Sequence, residues 1–195
     1  MKNAKIKKMV TLSLLTALVV VLQLLGYVLP RVGPFGLSFV LIPIVVGAAV
    51  YGPAAGAVLG GAFGIVVCFC SYNGLDAGGF MVWQANPLLC IAVVMAKGIL
   101  AGAACGFVYK LLAARKPIIG MLCAAIVCPV VNTGVFLLGM RLFFFDVLSA
   151  WAGGSNVVGY IMTGIVLVNF LPELLINIVF SPAGQRIVYT VKKHN

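Results

Sequence analysis

At 195 residues, 64% hydrophobic and 8% charged, with a mean hydropathy of +1.22, the chain has too little polar surface to clothe a water-soluble globule. It has room for about six membrane spans of roughly 20 residues with short connections, which leaves none for a separate soluble domain. The formal charge of +10 does not point to nucleic acid, because the basic residues flank apolar runs and form no stripe interleaved with exposed aromatics.

Taken in chain order, Lys2, Lys5, Lys7 and Lys8 precede an apolar run from Met9 to Leu29 that ends at Pro30. That run is longer than a signal-peptide core and no small-x-small cleavage site follows it, so it reads as a retained first span. A second, short span is expected over 35–50 with Pro43 inside it. Tyr51-Gly52-Pro53 then makes a tight turn into a third span over 53–72, glycine closing one helix and proline opening the next. The segment Ser71 to Asn86, rich in Gly, Asp, Asn and aromatics, is expected to be a loop of functional length. Span four covers 87–112, and span five runs from Pro117 to Arg141 with a kink expected at Pro129. A second polar break, Asp146 to Asn156, leads to span six over 157–180, expected to stop at Pro182. The predicted fold is therefore an all-α membrane protein, a compact bundle of six transmembrane helices forming a single domain over 1–195.

Ten of the 13 basic residues fall on one side of this arrangement: the four N-terminal lysines, Lys110, Arg115 and Lys116, and Arg186, Lys192 and Lys193. Opposite them stand only Arg31 and Arg141, with Lys97 inside span four. The positive-inside rule then predicts both termini in the cytoplasm, and both long polar breaks outside.

Glycine recurs at every fourth position in span three (Gly52, Gly56, Gly60, Gly64) and again in span four (Gly98, Gly102, Gly106). Such rows let helix backbones approach closely in lipid, and packing within the bundle is the expected use. Lys97 lies about 15 Å down span four and Glu173 about 24 Å down span six from the outer end, at 1.5 Å per residue. Charges at such depth face the bundle interior, and two readings compete: a structural Lys97–Glu173 ion pair, or a polar cavity that binds a solute. Asn169, Glu173 and Asn177 share one helix face. The outer-half candidates for substrate contact are Trp83, Gln84, Asn86, Asn132, Tyr160 and Asn169, with Lys97 at the base suited to a carboxylate.

Catalytic chemistry finds no constellation, since Asp76, Asp146 and Glu173 are the only acids and His194 the only histidine. The six cysteines sit almost entirely within apolar runs and read as small buried hydrophobes, without metal-ligand spacing, and no cofactor is implied. No phosphate-binding Walker sequence occurs, so ATP hydrolysis is not expected of this chain.

Three stretches carry a resemblance: Thr11-Leu12-Ser13-Leu14-Leu15-Thr16-Ala17-Leu18; Leu41-Ile42-Pro43 with Tyr51-Gly52-Pro53-Ala54-Ala55-Gly56; and Lys97-Gly98-Ile99-Leu100-Ala101-Gly102 with Tyr109-Lys110-Leu111-Leu112. Together with the span count they resemble the substrate-binding S component of an energy-coupling factor (ECF) vitamin transporter. The resemblance implies a bundle in the bacterial cytoplasmic membrane that captures a vitamin from outside under a lid of outer loops, with substrate contacts in regions that here hold Arg31, Trp83, Asn86, Asn132 and Tyr160. It also implies docking onto a transmembrane coupling protein that carries two ATPase subunits. Members of that family use an Ala-x-x-x-Ala motif on the first helix for docking; here the matching positions are Ser13 and Ala17. Pantothenate, through its carboxylate, and riboflavin, through its flat ring, are the favoured ligand classes. The alternative is a stand-alone, ion-coupled secondary carrier with Lys97 and Glu173 as gating charges.

Overall fold

Proline and glycine set the limits of most elements. In the computed structural model, which describes residues 2–28, 31–32, 35–36, 39–154 and 156–193 (side chains for 5–27, 39–154, 156–191 and 193), α1 runs Lys2–Val28. A two-stranded antiparallel hairpin follows, β1 (Arg31–Val32) pairing with β2 (Phe35–Gly36). Then come α2 (Leu41–Tyr51), α3 (Pro53–Tyr72), a short α4 (Ala77–Ala85), α5 (Pro87–Ala113), α6 (Pro117–Phe143) and a short α7 (Phe145–Trp151). The chain ends in one long rod made of α8 (Val157–Tyr160), a π-helix (Ile161–Phe170) and α9 (Leu171–Lys193). Prolines open α3, α5 and α6, where the missing N–H falls among donors that have no partner in any helix. Among the described residues, five helices are long and apolar enough to cross a membrane.

The second apolar run departs from the sequence expectation. Phe35 belongs to the hairpin and the helix begins only at Leu41, which places Pro43 in the first turn, where a missing N–H breaks no hydrogen bond. At 11 residues α2 is about 16 Å long, roughly half the hydrocarbon thickness. It is buried on nearly every side and serves as the centre of the bundle, with Leu41, Ile44 and Ala48 in the core beside Leu59, Cys105, Met121 and Cys128. Gly52, with φ of 90°, makes the turn into α3 that a side chain would strain, and its N–H closes on the Ala48 carbonyl at 2.8 Å.

Both polar breaks are also more ordered than a loop: each folds largely into a short helix, α4 and α7. These two helices meet at one end of the bundle, where the Trp151 indole N–H donates to the Met81 sulfur at 3.2 Å. The last rod does not stop at Pro182. Proline there frees the carbonyl of Ile178, and the Ser181 hydroxyl donates to that carbonyl at 2.8 Å, which repairs the break and lets α9 continue to Lys193. The expected end of span one at Leu29 and Pro30 lies outside the described residues.

The α3–α5 pair has the closest backbone approach. A Cβ placed on Gly56 would fall on the Gly102 carbonyl and one on Gly102 would fall on that of Gly56; Gly60 and Gly98 stand in the same reciprocal relation. The two glycine rows thus interlock with each other inside the chain. Large apolar side chains such as Leu14, Leu18, Phe107, Leu138 and Val179 remain exposed on the outer helix faces, where lipid and not water is their compatible solvent. Gly60→Ala is expected to lower stability by about 3 kcal/mol, the upper end for overpacking against a rigid neighbour. Gly134→Ala, in α6 with nothing within 4 Å of the added atom, is expected to be neutral or slightly stabilising. Thermal unfolding of the purified variants in detergent measures both.

Candidate functional site

Beneath α4 and α7 lies a cavity of about 80 Å³. Four regions frame it: the end of α3 with Val67 and Ser71, the start of α4 with Asp76 and Gly79, about two turns of α5 from Cys90 to Lys97, and α6 with Asn132, Thr133 and Phe136. Trp151 of α7 and Asn169 of the π-helix complete the wall. This volume has room for roughly half a dozen water molecules.

Two of its polar atoms are buried without any hydrogen-bond partner: the Ser71 hydroxyl, on a residue 0% exposed, and the Asn132 Oδ1, on a residue 7% exposed. A native fold leaves few such groups, because each costs about 1–3 kcal/mol, and both of these line the same cavity. Lys97 enters from α5 with its ammonium 4.9 Å from the Phe136 ring centroid and 5.4 Å from that of Phe63. Aromatic faces steady a cation without neutralising it, so the ammonium keeps its capacity to meet an anion. Asn169 reaches the cavity from a π-helix whose last donor, the Leu171 N–H, closes on Val166 just before Pro172, which has no N–H to give. Wide turns of this kind are rare and gather at functional sites.

Of the residues singled out from sequence, Lys97, Asn132 and Asn169 come together here. Trp83, Gln84, Asn86 and Tyr160 lie outside the lining. Trp83 packs edge-on against Tyr72 with centroids 5.6 Å apart. Gln84 is exposed, and Asn86 spends its side-chain oxygen on the Leu89 N–H as the cap of α5. Tyr160 packs against Gly164 with its hydroxyl buried and unpartnered. The side chain of Arg31 lies outside the described residues. Ser13 and Ala17 are exposed together on α1.

Two readings are open from the sequence for Lys97 and Glu173, an ion pair or a solute cavity. Among the described residues no ion pair joins them, and the ammonium lies against the rings of Phe63 and Phe136. Glu173 is buried, and Asn177, one turn on, donates to the Glu173 main-chain carbonyl at 2.8 Å. Sequence reasoning noted Thr133 beside Asn132 but passed over Ser71, Asp76, Phe136 and Trp151 as site residues. Only Asp76 carried a visible signal, as one of three acids in the whole chain. No group of histidine, cysteine, aspartate or glutamate suited to a metal occurs among the described residues, and all six cysteines are free thiols, four of them buried. The lining brings together a cation, unpartnered oxygens and aromatic walls, an arrangement suited to holding a polar small molecule.

Removing the orphaned hydroxyl separates stability from binding. Ser71→Ala is expected to raise the stability of the ligand-free protein by about 1 kcal/mol, because it deletes a buried group without a partner, and to weaken ligand binding. Paired thermal-unfolding and binding measurements on wild type and variant test this, and a variant that loses stability in the ligand-free state contradicts it.

No curated protein and no solved structure matches the chain. A family model does, that of the ECF transporter substrate-specific component, over residues 7–183. This match takes in α1, the interlocked α3–α5 pair and every residue of the cavity wall, and the chain therefore belongs to the substrate-specific component family of ECF transporters.

Proposed function

We propose that this protein is the high-affinity capture subunit of an ATP-driven importer for a water-soluble vitamin or related micronutrient. The observation that carries the reading is the pair of unpartnered buried acceptors, Ser71 and Asn132, facing the same small cavity as Lys97. Polar groups left without partners in a membrane bundle are stabilised when a ligand supplies the missing hydrogen bonds. Family membership supports assembly with partner subunits. In this reading a transmembrane coupling protein docks on α1 at exposed Ser13 and Ala17, and two ATPase subunits supply the energy.

The chain sits in the cytoplasmic membrane with both termini inside. Ten of the 13 basic residues support that orientation, and the cavity lies at the end of α5 opposite Lys110, Arg115 and Lys116, so capture occurs from outside. Lys97 supports a carboxylate-bearing ligand of the pantothenate class. The cavity of about 80 Å³ is well below the usual range for ligand sites, so a vitamin of either class requires a larger opening than the seated helices leave.

Purified protein is expected to bind pantothenate with submicromolar affinity, measured by calorimetry, and Lys97→Met to weaken that binding 10- to 100-fold, the effect of losing one hydrogen bond to a charged group. Uptake by liposomes is expected only when the coupling protein and ATPases are co-reconstituted. Uptake driven by an ion gradient with this chain alone would favour the stand-alone carrier instead. Single cysteines placed within Ser71 to Asn86 are expected to react with an impermeant maleimide on intact cells, and protection of every such position would overturn the orientation.

A further inference from the structure

Asp76 caps the start of α4 and yet makes no side-chain hydrogen bond to that helix, although an aspartate at this position ordinarily accepts one from the first turn. It is half-buried and lines the cavity. Gly79 is what brings α4 down onto it: a Cβ at that position would collide with the Ser71 hydroxyl and come within 2.8 Å of Asp76 Oδ2. The carboxylate and the orphaned hydroxyl of Ser71 are thus neighbours across one glycine, on the α3–α4 side. The Lys97 ammonium enters from α5, and the unpartnered Asn132 Oδ1 from α6.

Asp76 and Lys97 are the two charged residues of the lining, of opposite sign, with no ion pair joining them among the described residues. The cavity is therefore dipolar and close to neutral. A ligand that is only an anion gains at Lys97 and is repelled at Asp76, whereas an ionised carboxylate, having no hydrogen to donate, calls for a donor on whatever it meets. A ligand that pairs an acid at one end with hydroxyl or ammonium donors at the other satisfies both poles, and the donors fall where the Ser71 oxygen also lacks a partner.

Building on the capture reading, we propose that Asp76 is a second specificity residue of the site, accepting hydrogen bonds from the donor-bearing end of a substrate whose acid lies on Lys97. The site then selects bipolar molecules over plain carboxylates.

Three probes test this on the full-length protein in nanodiscs by calorimetry: pantothenate (acid plus hydroxyls), β-alanine (acid plus ammonium) and valerate (acid alone). Wild type is expected to bind at least one bipolar probe 100-fold or more tightly than valerate. Asp76→Ala is expected to weaken that probe at least 30-fold and valerate less than threefold, erasing the discrimination. The near-isosteric Asp76→Asn, which guards against misfolding, distinguishes the donor: loss under tenfold for a hydroxyl ligand, and loss as large as in Asp76→Ala for an ammonium. Equal affinity of wild type and both variants for the bound probe, or equal weakening of valerate, overturns the role of Asp76 and leaves the capture reading standing. If wild type binds no probe and native mass spectrometry finds no retained small molecule, the capture reading falls and this inference with it.

Discussion

Backbone contact between α3 and α5 is the constraint from which the site follows. Lipid tails are as apolar as leucine, so hydrophobic expulsion does little to bring two spans together, and close packing has to supply the association. Here the packing is carbonyl against glycine, reciprocal at Gly56 with Gly102 and at Gly60 with Gly98. Close approach at those levels fixes the offset of the two helices along their axes. The C-terminal turn of α3, with Ser71, is thereby held opposite the first turns of α5, from Cys90 to Lys97. A side chain at Gly56, Gly60, Gly98 or Gly102 would push the two helices, and with them the walls of the cavity, apart without touching the cavity itself.

The second theme is the accounting of polar atoms in a place with no bulk water. Where the chain departs from ideal helix, it mostly repairs itself: Ser181 takes the carbonyl released by Pro182, Asn86 and Asn156 cap the helices that follow them, and Pro43 sits where no donor is missed. Against that thrift, the unpartnered Ser71 and Asn132 oxygens stand out. Lys97 makes the same point with a whole charge, since ring faces hold the ammonium without neutralising it. Unpartnered oxygens also occur at Gln23, Tyr51 and Tyr160, but Ser71 and Asn132 are the two that face one cavity together with a cation, where a polar partner can reach both.

The helices α4 and α7 cover the cavity. Both are short, both contribute to the cavity wall, and the indole-to-sulfur hydrogen bond between Trp151 and Met81 is a weak fastening, because thioether sulfur is a poor acceptor. Segments with modest burial and few strong bonds are those that open at low free-energy cost. The present volume of about 80 Å³ accordingly describes the cavity with these helices seated.

Much of the architecture was legible in the residues themselves. Apolar runs and the prolines at 53, 87 and 117 marked where helices form and begin, the four-residue glycine spacing marked which faces pack, and Lys97, Asn132 and Asn169 stood out as polar groups at depth. These signals are local, arising from hydrophobic length, missing donors and missing side chains. The hairpin at Arg31–Gly36, the eleven-residue α2, the two short helices within the polar breaks and the passage of α9 through Pro182 were not legible, because each depends on a partner distant in sequence or on a side chain that repairs the backbone. Asp76 is the clearest case. In the chain it is an acid in a glycine-rich stretch, twenty-one residues before Lys97, and only the fold of α4 over the end of α3 turns it into the opposite pole of the same cavity. Hydropathy and spacing determined the bundle and its lipid-facing surface; which charges share an enclosed space was decided by tertiary packing, since proximity across helices is set by how closely backbones meet.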